Sequence, residues 1–425
     1  MKTPPIRCSI LFSTVLLAVL STGPAVAAPA PRPWPPHPFA PLTIERIAAL
    51  PAADQPAWRA YLDASTARAR LLPPRSSPDF SPLQPLPGLP KGGIHTKGLR
   101  LNERAPWYAS DAARVIADRV VAAQSPTGAW TKGNDYTGKS VSQNHGPHDL
   151  WSSGTFDNDA TIRELQFLAR VATAAGNIPR AAFWRDAFLR GLDYCFAAQY
   201  PNGGFPQVYP LGGGYHDAIT FNDDAMTNVL ELLRDVAKGH RDYKFVPAAQ
   251  RDEAAKRFAR GIDCILATQL KTTSGELTVW CQQYDALTLA PSAARNFEPT
   301  SECAAESARL VELLLSIPQP SPAIVTAIDA GVAWFKRVAL HDVVWDRAKT
   351  DGSGLVPTPG APLLWARFYE LDTHVPIFGD RDRTIHYNVT ELSPERRLGY
   401  SWYGNWPEHA LEVYNAWHGR IAAQH

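Results

Sequence analysis

The sequence predicts a mainly α-helical fold, an incomplete toroid of helical hairpins with an irregular, partly β C-terminal segment. Three amphipathic stretches carry apolar residues at three- and four-residue spacing, and each ends in Ala-Ala-Gln or Ala-Thr-Gln: residues 110–124, 181–199 and 251–269. Their last residues, Gln124, Gln199 and Gln269, follow one another at intervals of 75 and 70 residues. Hairpins of this length cannot each bury an apolar face alone, so we expect them to pack around a common axis.

The first 28 residues have the pattern of a signal peptide. Lys2 and Arg7 give a basic start, residues 10–20 are apolar, and residues 25–28 are small. The apolar run is too short to span a bilayer. We therefore expect a secreted or periplasmic protein without a membrane anchor after cleavage.

Residues 29–93 are rich in proline and are expected to form an N-terminal arm on the surface, with one helical island at about 42–72. The catalytic toroid domain is then predicted to span residues 94–425. Lys and Arg number 42 against 41 Asp and Glu, which leaves no basic field for nucleic acid or an anionic membrane. A polyanionic ligand would have to be held by local arginines and a metal, and we expect a monomer.

The cysteines do not suggest zinc. Cleavage after residue 28 would remove Cys8 and leave Cys195, Cys264, Cys281 and Cys303, with no C-x-x-C pair. The first two lie on apolar helical faces and are expected to be buried thiols. A disulfide between Cys281 and Cys303 is left open, because an exported protein meets an oxidising compartment and sequence cannot fix connectivity.

Each repeat continues with a loop that carries an aromatic residue and then with the start of a second helix. The aromatics are Trp130, Phe205 and Trp280. The second helices are predicted to start at residues 155–160, 220–225 and 291–295. Thr155 and Thr220 are suitable N-caps with acidic residues in the first turn.

Carboxylates and amides recur at these helix starts. The repeat aligns Asp157-Asn158 with Asn222-Asp223, and Asp224 follows. Any one of these acids is explained equally well by the helix macrodipole. Paired oxygens at two equivalent starts favour a hard cation such as Ca²⁺, with Asp157, Asp223 and Asp224 as ligands. The third start carries Arg295 instead, for which an ordinary salt bridge is the alternative.

Seven motifs occur in the order found in a known family. They are QYPNGGFPQVYP at 199–210, TFNDDAM at 220–226, WCQQYD at 280–285, ARNFEP at 294–299, LWARFYEL at 364–371, FGDRD at 378–382 and RRLGYSWYGNWP at 396–407. The chain, from about 101 to about 417, resembles the polysaccharide lyase family 10 pectate lyases. This resemblance implies an (α/α)3 toroid and a calcium-assisted lyase acting on polygalacturonate.

The resemblance also implies roles for individual residues. Arg295 matches the arginine taken to abstract the C5 proton of a galacturonate, a role that requires desolvation and a neighbouring cation because free arginine stays protonated. Asp157 and Asp223 match acids expected to bind calcium or hold its water during catalysis, and Asn158 matches a substrate-binding amide. Arg381 resembles an arginine that binds a substrate carboxylate through its planar fork.

Three further substrate contacts are predicted. Trp280 and Tyr284 would stack against sugar rings. Tyr284 stands where the family usually has histidine. Lys132 is a candidate partner of a substrate carboxylate, with a solvated surface lysine as the alternative.

Two other functions fit a helical toroid. A glycoside hydrolase would use a carboxylic acid pair such as Asp157 and Asp223, and it would need no calcium. A non-catalytic uronate-binding protein would keep the aromatics and Arg381 but would not need Arg295 together with both acids. The two alternatives differ from a lyase in forming no unsaturated product.

Overall fold

A computed structural model describes residues 29–34, 40–72, 96–138 and 154–422, with side chains described to residue 418. The predicted signal peptide and residues 73–93 of the predicted arm lie outside this part of the chain. Within the described ranges, no helix has the length and apolar character needed to cross a bilayer.

The helices of the described residues are α1 (Ile44–Ala48), α2 (Gln55–Ala69), α3 (Ala105–Tyr108), α4 (Asp111–Ala122), α5 (Ile162–Ala174), α6 (Pro179–Ala198), α7 (Ala225–Lys238), α8 (Ala248–Thr268), α9 (Ala304–Leu315), α10 (Pro322–Val338), α11 (Pro394–Gly399) and α12 (Pro407–Ala422). The strands are short: β1 (Arg32–Pro33), β2 (Ile219–Thr220), β3 (Gln283–Tyr284), β4 (Pro291–Ser292), β5 (Glu302–Cys303), β6 (Val343–Trp345), β7 (Leu355–Pro357), β8 (Trp365–Ala366), β9 (Phe368–Tyr369), β10 (Pro376–Gly379), β11 (Thr384–His386) and β12 (Tyr403–Gly404).

The helices form the predicted incomplete (α/α)3 toroid. Helices α5, α7 and α9 lie side by side as the inner layer, and each is buried over most of its surface. Helices α4, α6 and α8 form the outer layer, and α10 and α12 pack against α9. A helix that is apolar nearly all round needs neighbours on several sides, which explains why α9 occupies an inner position.

The repeated glutamines fasten the layers together. Each side-chain amide donates to a carbonyl of its own loop and to a carbonyl of the next outer helix, over 2.7 to 3.0 Å. The bonds run from Gln124 to Gly128 and Ala187, from Gln199 to Gly203 and Arg257, and from Gln269 to Thr278 and Ala327. The repeat seen in the sequence is therefore a repeat of structure, and the third glutamine shows that α10 continues it.

The predicted start of the third inner helix is wrong. Residues 291–292 form β4, which pairs with β3, and α9 begins only at Ala304. Arg295 lies between them in a turn closed by a hydrogen bond from the Glu298 N–H to its carbonyl. Pairing of this segment with β3 uses the backbone groups that a helix would need, so the helix is delayed.

The C-terminal segment is partly β, as predicted. An antiparallel sheet with strand order β1-β11-β10-β9-β5 joins the arm to the strand that precedes α9. Gly379 in β10 lies against the loop that holds Arg295, since a Cβ there would meet the carbonyl oxygen of Phe297 at 2.5 Å. The absence of a side chain at 379 lets the sheet approach this loop closely.

The arm is more helical and more buried than an extended surface segment. Its island forms α1 and α2, and Trp58 and Tyr61 of α2 pack on Tyr200 with ring centroids 5.4 and 4.8 Å apart. The Ser65 hydroxyl accepts the Leu211 N–H at 2.9 Å. The arm therefore covers the loop after α6, and Tyr200 has no exposed ring face for a sugar.

The four cysteines of the described residues are buried and free, so no disulfide joins Cys281 to Cys303. The Cys303 thiol instead donates to the Glu306 carboxylate. Burial raises the pKa of the Cys195 and Cys264 thiols, in keeping with their predicted role as inert core residues.

Candidate active site

The acidic residues lie in strained turns before the inner helices. Asn158, Asp159 and Thr161 have φ values of 50°, 59° and 66°, and Asp223 and Asp224 have 51° and 58°. The predicted N-caps Thr155 and Thr220 are wrong, because 3₁₀ turns intervene and α5 and α7 begin only at Ile162 and Ala225. Left-handed backbone is uncommon for asparagine and aspartate and a real outlier for threonine. Such strain persists where the surroundings enforce it, which favours function over simple capping.

The inner-layer loops share a second feature at the mouth of the toroid. Each aromatic of the repeat is followed two residues later by a polar residue, and the pattern occurs four times: Trp130 and Lys132, Phe205 and Gln207, Trp280 and Gln282, Trp365 and Arg367. In the last three copies the carbonyl of the polar residue accepts an N–H from the start of the preceding inner helix or its 3₁₀ turn, namely from Phe156, Phe221 and Ala304. Three of these polar residues were missed as site residues in the sequence.

These four polar residues are connected to side chains at or just before the starts of the inner helices, and we call the connected set the ladder. Lys132 Nζ lies 2.7 Å from Asp157 Oδ2, and Gln207 Nε2 donates to Asp157 Oδ1 at 3.0 Å. Lys132 is therefore no solvated surface lysine. Gln282 Nε2 donates to Asn222 Oδ1 at 2.8 Å and to Glu306 Oε1 at 2.9 Å.

The ladder ends in a buried ion pair. Arg367 Nη2 donates to Glu306 Oε1, and the two side chains are only 12% and 2% exposed. Burial alone would raise the pKa of Glu306, but Arg367 and the hydrogen bonds from Cys303 and Gln282 hold that pKa below its ordinary value. The third repeat thus contributes a charged carboxylate to the mouth, from a residue that sequence analysis did not select.

The predicted stacking role of Trp280 and Tyr284 does not hold. Both rings are fully buried. Trp280 Nε1 donates to the Ile265 carbonyl at 2.7 Å, just as Trp130 Nε1 donates to that of Val120 at 2.7 Å. The Tyr284 hydroxyl accepts the Cys281 N–H. These aromatics hold the loops against the outer helices, and the residues that reach the mouth come two positions later.

Asp157 and Asp223 come together, as predicted. Burial and the neighbouring Asp157 carboxylate, which lies in hydrogen-bonding range, raise the pKa of Asp223 to about 8, while Arg367 opposes this increase. Asn158 Nδ2 donates to Asp157 Oδ2 at 3.1 Å, and Asn222 Nδ2 donates to Asp223 Oδ2 at 2.9 Å. Two carboxylates held this close repel each other when both are ionised.

A divalent cation fits part of this arrangement. It would relieve the repulsion between Asp157 and Asp223, and the Gln207 Oε1 atom beside Asp157 is buried without a hydrogen-bond partner. Within the described residues, however, no three His, Cys, Asp or Glu side chains are grouped to hold a metal ion. Asp224 lines the same 300 Å³ cavity as Asp223, but its carboxylate lies 3.6 Å from Arg309 Nε. The described residues therefore do not group the three predicted carboxylates around one position, and water or substrate oxygens would have to complete a calcium site.

Arg295 is held by a buried carboxylate. Its Nε donates to Glu298 Oε2 at 2.7 Å, its Nη2 donates to Glu298 Oε1, and the arginine side chain stays 43% exposed while Glu298 is 2% exposed. Burial tends to lower the pKa of Arg295, but the Glu298 hydrogen bonds and charge raise it overall. Desolvation is present as the sequence analysis required, yet the nearest charged partner is an anion.

Tyr215 connects Arg295 to the acids. Its pKa is raised to about 12, chiefly by burial, and its phenol interacts electrostatically with Arg295, Glu298, Asp157 and Asp223. Arg295 and the acid pair therefore both lie near enough to Tyr215 to affect its pKa. Tyr215 was not predicted, because its loop lacks the repeat pattern.

Arg381 and Arg295 contact the same aromatic ring, that of Phe297. The guanidinium carbons of Arg295, Arg381 and Arg396 lie 4.7, 5.5 and 4.2 Å from the centroid of the Phe297 ring. Asn296 fixes this loop to the FGDRD segment by donating to the Arg381 carbonyl at 3.1 Å. Arg381 is 61% exposed and able to meet a ligand.

A family model described as pectic acid lyase matches residues 124–411. The chain belongs to the pectic acid lyase family. Two similar solved structures are a family 10 polysaccharide lyase from Cellvibrio cellulosa and a mutant of that lyase in complex with trigalacturonic acid. The first is 35% identical to this chain, and the match covers 76% of this chain and 96% of the lyase. The mutant is 34% identical, and its match covers 73% of this chain and 95% of the mutant. Both TM-scores are 0.65. No curated protein matches the chain.

The family membership makes this protein a lyase of polysaccharides with the (α/α)3 toroid fold. It therefore agrees with the resemblance drawn from the seven motifs. The matched region begins at the end of the first outer helix, so it includes every residue of the ladder.

The raised carboxyl pKa values predict how this lyase responds to pH without metal. Burial raises the pKa of Asp223, Asp224 and Asp217 from 3.8 to about 8, 7 and 6. Between these pH values and about pH 4 the native state binds more protons than the unfolded state, so the free energy of unfolding falls as pH rises. Thermal melts in chelator should show the melting temperature falling by a few degrees from about pH 5 to about pH 8.

The Asp223→Asn variant should flatten this decline, because it removes the group with the largest raised value. Carboxyl groups with lowered pKa values, such as Glu306, lose stability only at lower pH and do not compete in this window. A wild-type melting temperature that rises from pH 5 to pH 8, or equal slopes in both proteins, would contradict the prediction.

Proposed function

We propose that this lyase cleaves α-1,4-linked polygalacturonate by a calcium-assisted anti β-elimination that leaves 4,5-unsaturated oligogalacturonides. The observation that carries the proposal is an arginine fixed by a buried carboxylate, Arg295 on Glu298, together with an acid at the toroid mouth, Asp157, held by Lys132 and Gln207. Both the arginine and the acid act on the Tyr215 phenol. The trigalacturonic acid bound to a mutant of the Cellvibrio cellulosa lyase supports the choice of substrate.

Arg295 acts as the base in this proposal. It takes the C5 proton of a galacturonate, the C5 electrons form the C4–C5 double bond, and the C4–O bond breaks with its electron pair on the 4-O oxygen. That oxygen leaves with the other part of the chain and takes up a proton, and Arg295 afterwards releases its own proton to solvent. No water is consumed. Its bonds to Glu298 orient the guanidinium, and loss or sharing of these bonds on substrate binding would provide the unprotonated fraction.

The ladder residues bind and orient. Asp157 and Asp223, with Gln207 beside them, would hold a calcium ion, and Asn158 and Lys132 would contact substrate from the same turn and loop. When bound, calcium would neutralise the uronate carboxylate and acidify the adjacent C–H. Arg381 would pair with the carboxylate of a neighbouring sugar unit.

The geometry of the acids argues against a hydrolase. Catalytic carboxylates of glycosidases stand about 5 Å or more apart, to leave room for the sugar bond and for water. Asp157 and Asp223 lie in hydrogen-bonding range of each other. The pair suits a shared cation or proton better than separate acid and base roles.

The first test follows ultraviolet absorbance of the unsaturated uronate with polygalacturonate at alkaline pH. We expect absorbance to rise with calcium and the rise to stop on addition of chelator. New reducing ends without absorbance would indicate a hydrolase, and substrate binding without either signal would indicate a binding protein. Full activity in chelator would remove calcium from the mechanism while leaving the lyase assignment intact.

A further inference from the structure

One carboxylate near the site is already held in the way a substrate carboxylate would be. Glu395 Oε2 accepts from Arg381 Nε at 2.8 Å and from Arg396 Nε at 2.9 Å. Its Oε1 accepts from Arg381 Nη2 at 3.0 Å and from Arg396 Nη2 at 2.5 Å. Two planar guanidinium forks thus bind one carboxylate bidentately, the geometry that best recognises carboxylates.

The surroundings make this an open site. Arg381, Glu395, Asp380, Asp382 and Ser393 line a surface cavity of 680 Å³. Glu395 is 57% exposed and Arg381 is 61% exposed, whereas Arg396 is only 8% exposed. The Arg396 guanidinium is therefore fixed in the protein, whereas the side chains of Arg381 and Glu395 have room to rearrange.

The cavity also lies next to the proposed base. Arg396 and Arg381 contact the Phe297 ring that Arg295 contacts, and Arg295 and Arg381 interact electrostatically. An extended polyuronate chain presents a carboxylate on each sugar. A chain with one sugar at Arg295 would bring another carboxylate toward Arg381.

We propose that Glu395 is a built-in competitor for the substrate carboxylate at a site formed by Arg381 and Arg396. This inference rests on the proposed function for the identity of the anion. A galacturonate carboxylate enters by displacing Glu395, and Arg396, which stays packed under Phe297, provides the second fork. Glu395 thereby sets substrate affinity without taking part in proton transfer.

The chemistry suits reversible competition. The hydrogen bonds from Arg381 and Arg396 lower the pKa of Glu395 to about 2, so it is a carboxylate at every assay pH. The Arg381–Glu395 pair is more than half exposed on both sides, so this half of the arrangement contributes little and is displaced at low cost. In the empty site Glu395 reduces the repulsion between the two arginines.

The test compares two isosteric variants that each remove one negative charge from the same cavity. Glu395→Gln removes the competitor, while Asp382→Asn is the control, since Asp382 Oδ1 accepts only the Thr384 N–H among the hydrogen bonds found for its side chain. We expect Glu395→Gln to lower KM for polygalacturonate by about twofold to fivefold with kcat unchanged. Asp382→Asn should change KM much less.

A coupled experiment removes the fork itself. In the Arg381→Ala background, Glu395→Gln should lower KM much less than it does in the wild-type background, because only the Arg396 fork is left to compete for. Equal effects of Glu395→Gln and Asp382→Asn would mean general charge repulsion and overturn the proposal, and so would a raised KM or an effect of full size without Arg381. Melting temperatures confirm that each variant is folded.

The test separates this inference from the proposed function. If wild-type protein forms no unsaturated product, the lyase mechanism fails, and calorimetric binding of trigalacturonic acid to the same variants still tests the anion site. Tighter binding to Glu395→Gln than to Asp382→Asn supports the site, and equal binding rejects it.

Discussion

Replacement of Arg295 by alanine is expected to lower kcat on polygalacturonate by about a hundredfold to ten-thousandfold, the usual contribution of a general base. The Arg295 guanidinium and the acid pair both interact electrostatically with the Tyr215 phenol, whereas Arg367, which also acts on Asp223, is bonded to Glu306. KM should change little if Arg381 and the ladder bind the substrate. The measurement is the initial rate of absorbance increase at saturating substrate and calcium.

Arg295→Lys is the matched comparison. Lysine keeps a positive charge but cannot make both side-chain bonds to Glu298 in the same planar geometry. An arginine that only stabilises negative charge would be replaced in part by lysine, whereas a positioned base would not. Circular dichroism and calcium binding should be unchanged in both variants, and an alanine variant within tenfold of wild type would exclude Arg295 as the base.

Glu298→Gln tests why Arg295 can lose a proton. Glu298 raises the pKa of Arg295, so loss of its charge should lower that pKa and move the ascending limb of the pH–rate profile toward neutral pH. Glutamine keeps an acceptor for the Tyr400 hydroxyl, which lies 2.8 Å from Glu298 Oε1. An unshifted profile would show that Arg295 acts as a cation and not as the base.

The toroid could be predicted because its repeat has a physical cause. Gln124, Gln199 and Gln269 recur since each must bond to a loop carbonyl and to the next outer helix. The same reasoning failed at residues 291–295, where apolar and charged residues resemble a helix start but pair with β3. Local pattern cannot show a strand partner that the chain reaches from elsewhere.

The site was only half predictable for a related reason. Asp157, Asp223, Arg295 and Arg381 were selected because they recur or match the family, and in the structure the first three all interact electrostatically with Tyr215. Trp280 was assigned to substrate because an aromatic in a polar loop resembles a sugar platform. Its structural role follows from a bond to the Ile265 carbonyl that sequence does not display. Gln207, Gln282 and Arg367 each stand two residues after an aromatic of the repeat, so their regular spacing was visible in the sequence. The spacing alone does not show which side chain in the turns each of them contacts.

The largest expected change in stability comes from Lys97, which makes a fully buried ion pair. Lys97 Nζ lies 3.1 Å from Glu164 Oε1, and both side chains are 0% exposed. Glu164 Oε1 also accepts from the Tyr136 hydroxyl at 3.0 Å. Lys97→Met should lower the free energy of unfolding by about 3 to 5 kcal/mol, because it leaves the Glu164 charge buried without its partner. Denaturant unfolding monitored by circular dichroism measures the loss.

The Lys97→Met, Glu164→Gln double variant decides whether the charge or the packing matters. Once both charges are gone no buried ion is left unpaired, so most of the lost stability should return. A double variant as unstable as the single one would assign the loss to packing. Burial lowers the pKa of Lys97 by more than Glu164 raises it, so desolvation outweighs the attraction for this lysine. Tyr136, which donates to Glu164, belongs to the loop that also carries Lys132. Lys97→Met should therefore disturb this loop, weaken the hydrogen bond from Lys132 to Asp157 and reduce activity even where the variant remains folded. The buried pair thereby connects the stability of the inner helix α5 to the geometry of the ladder.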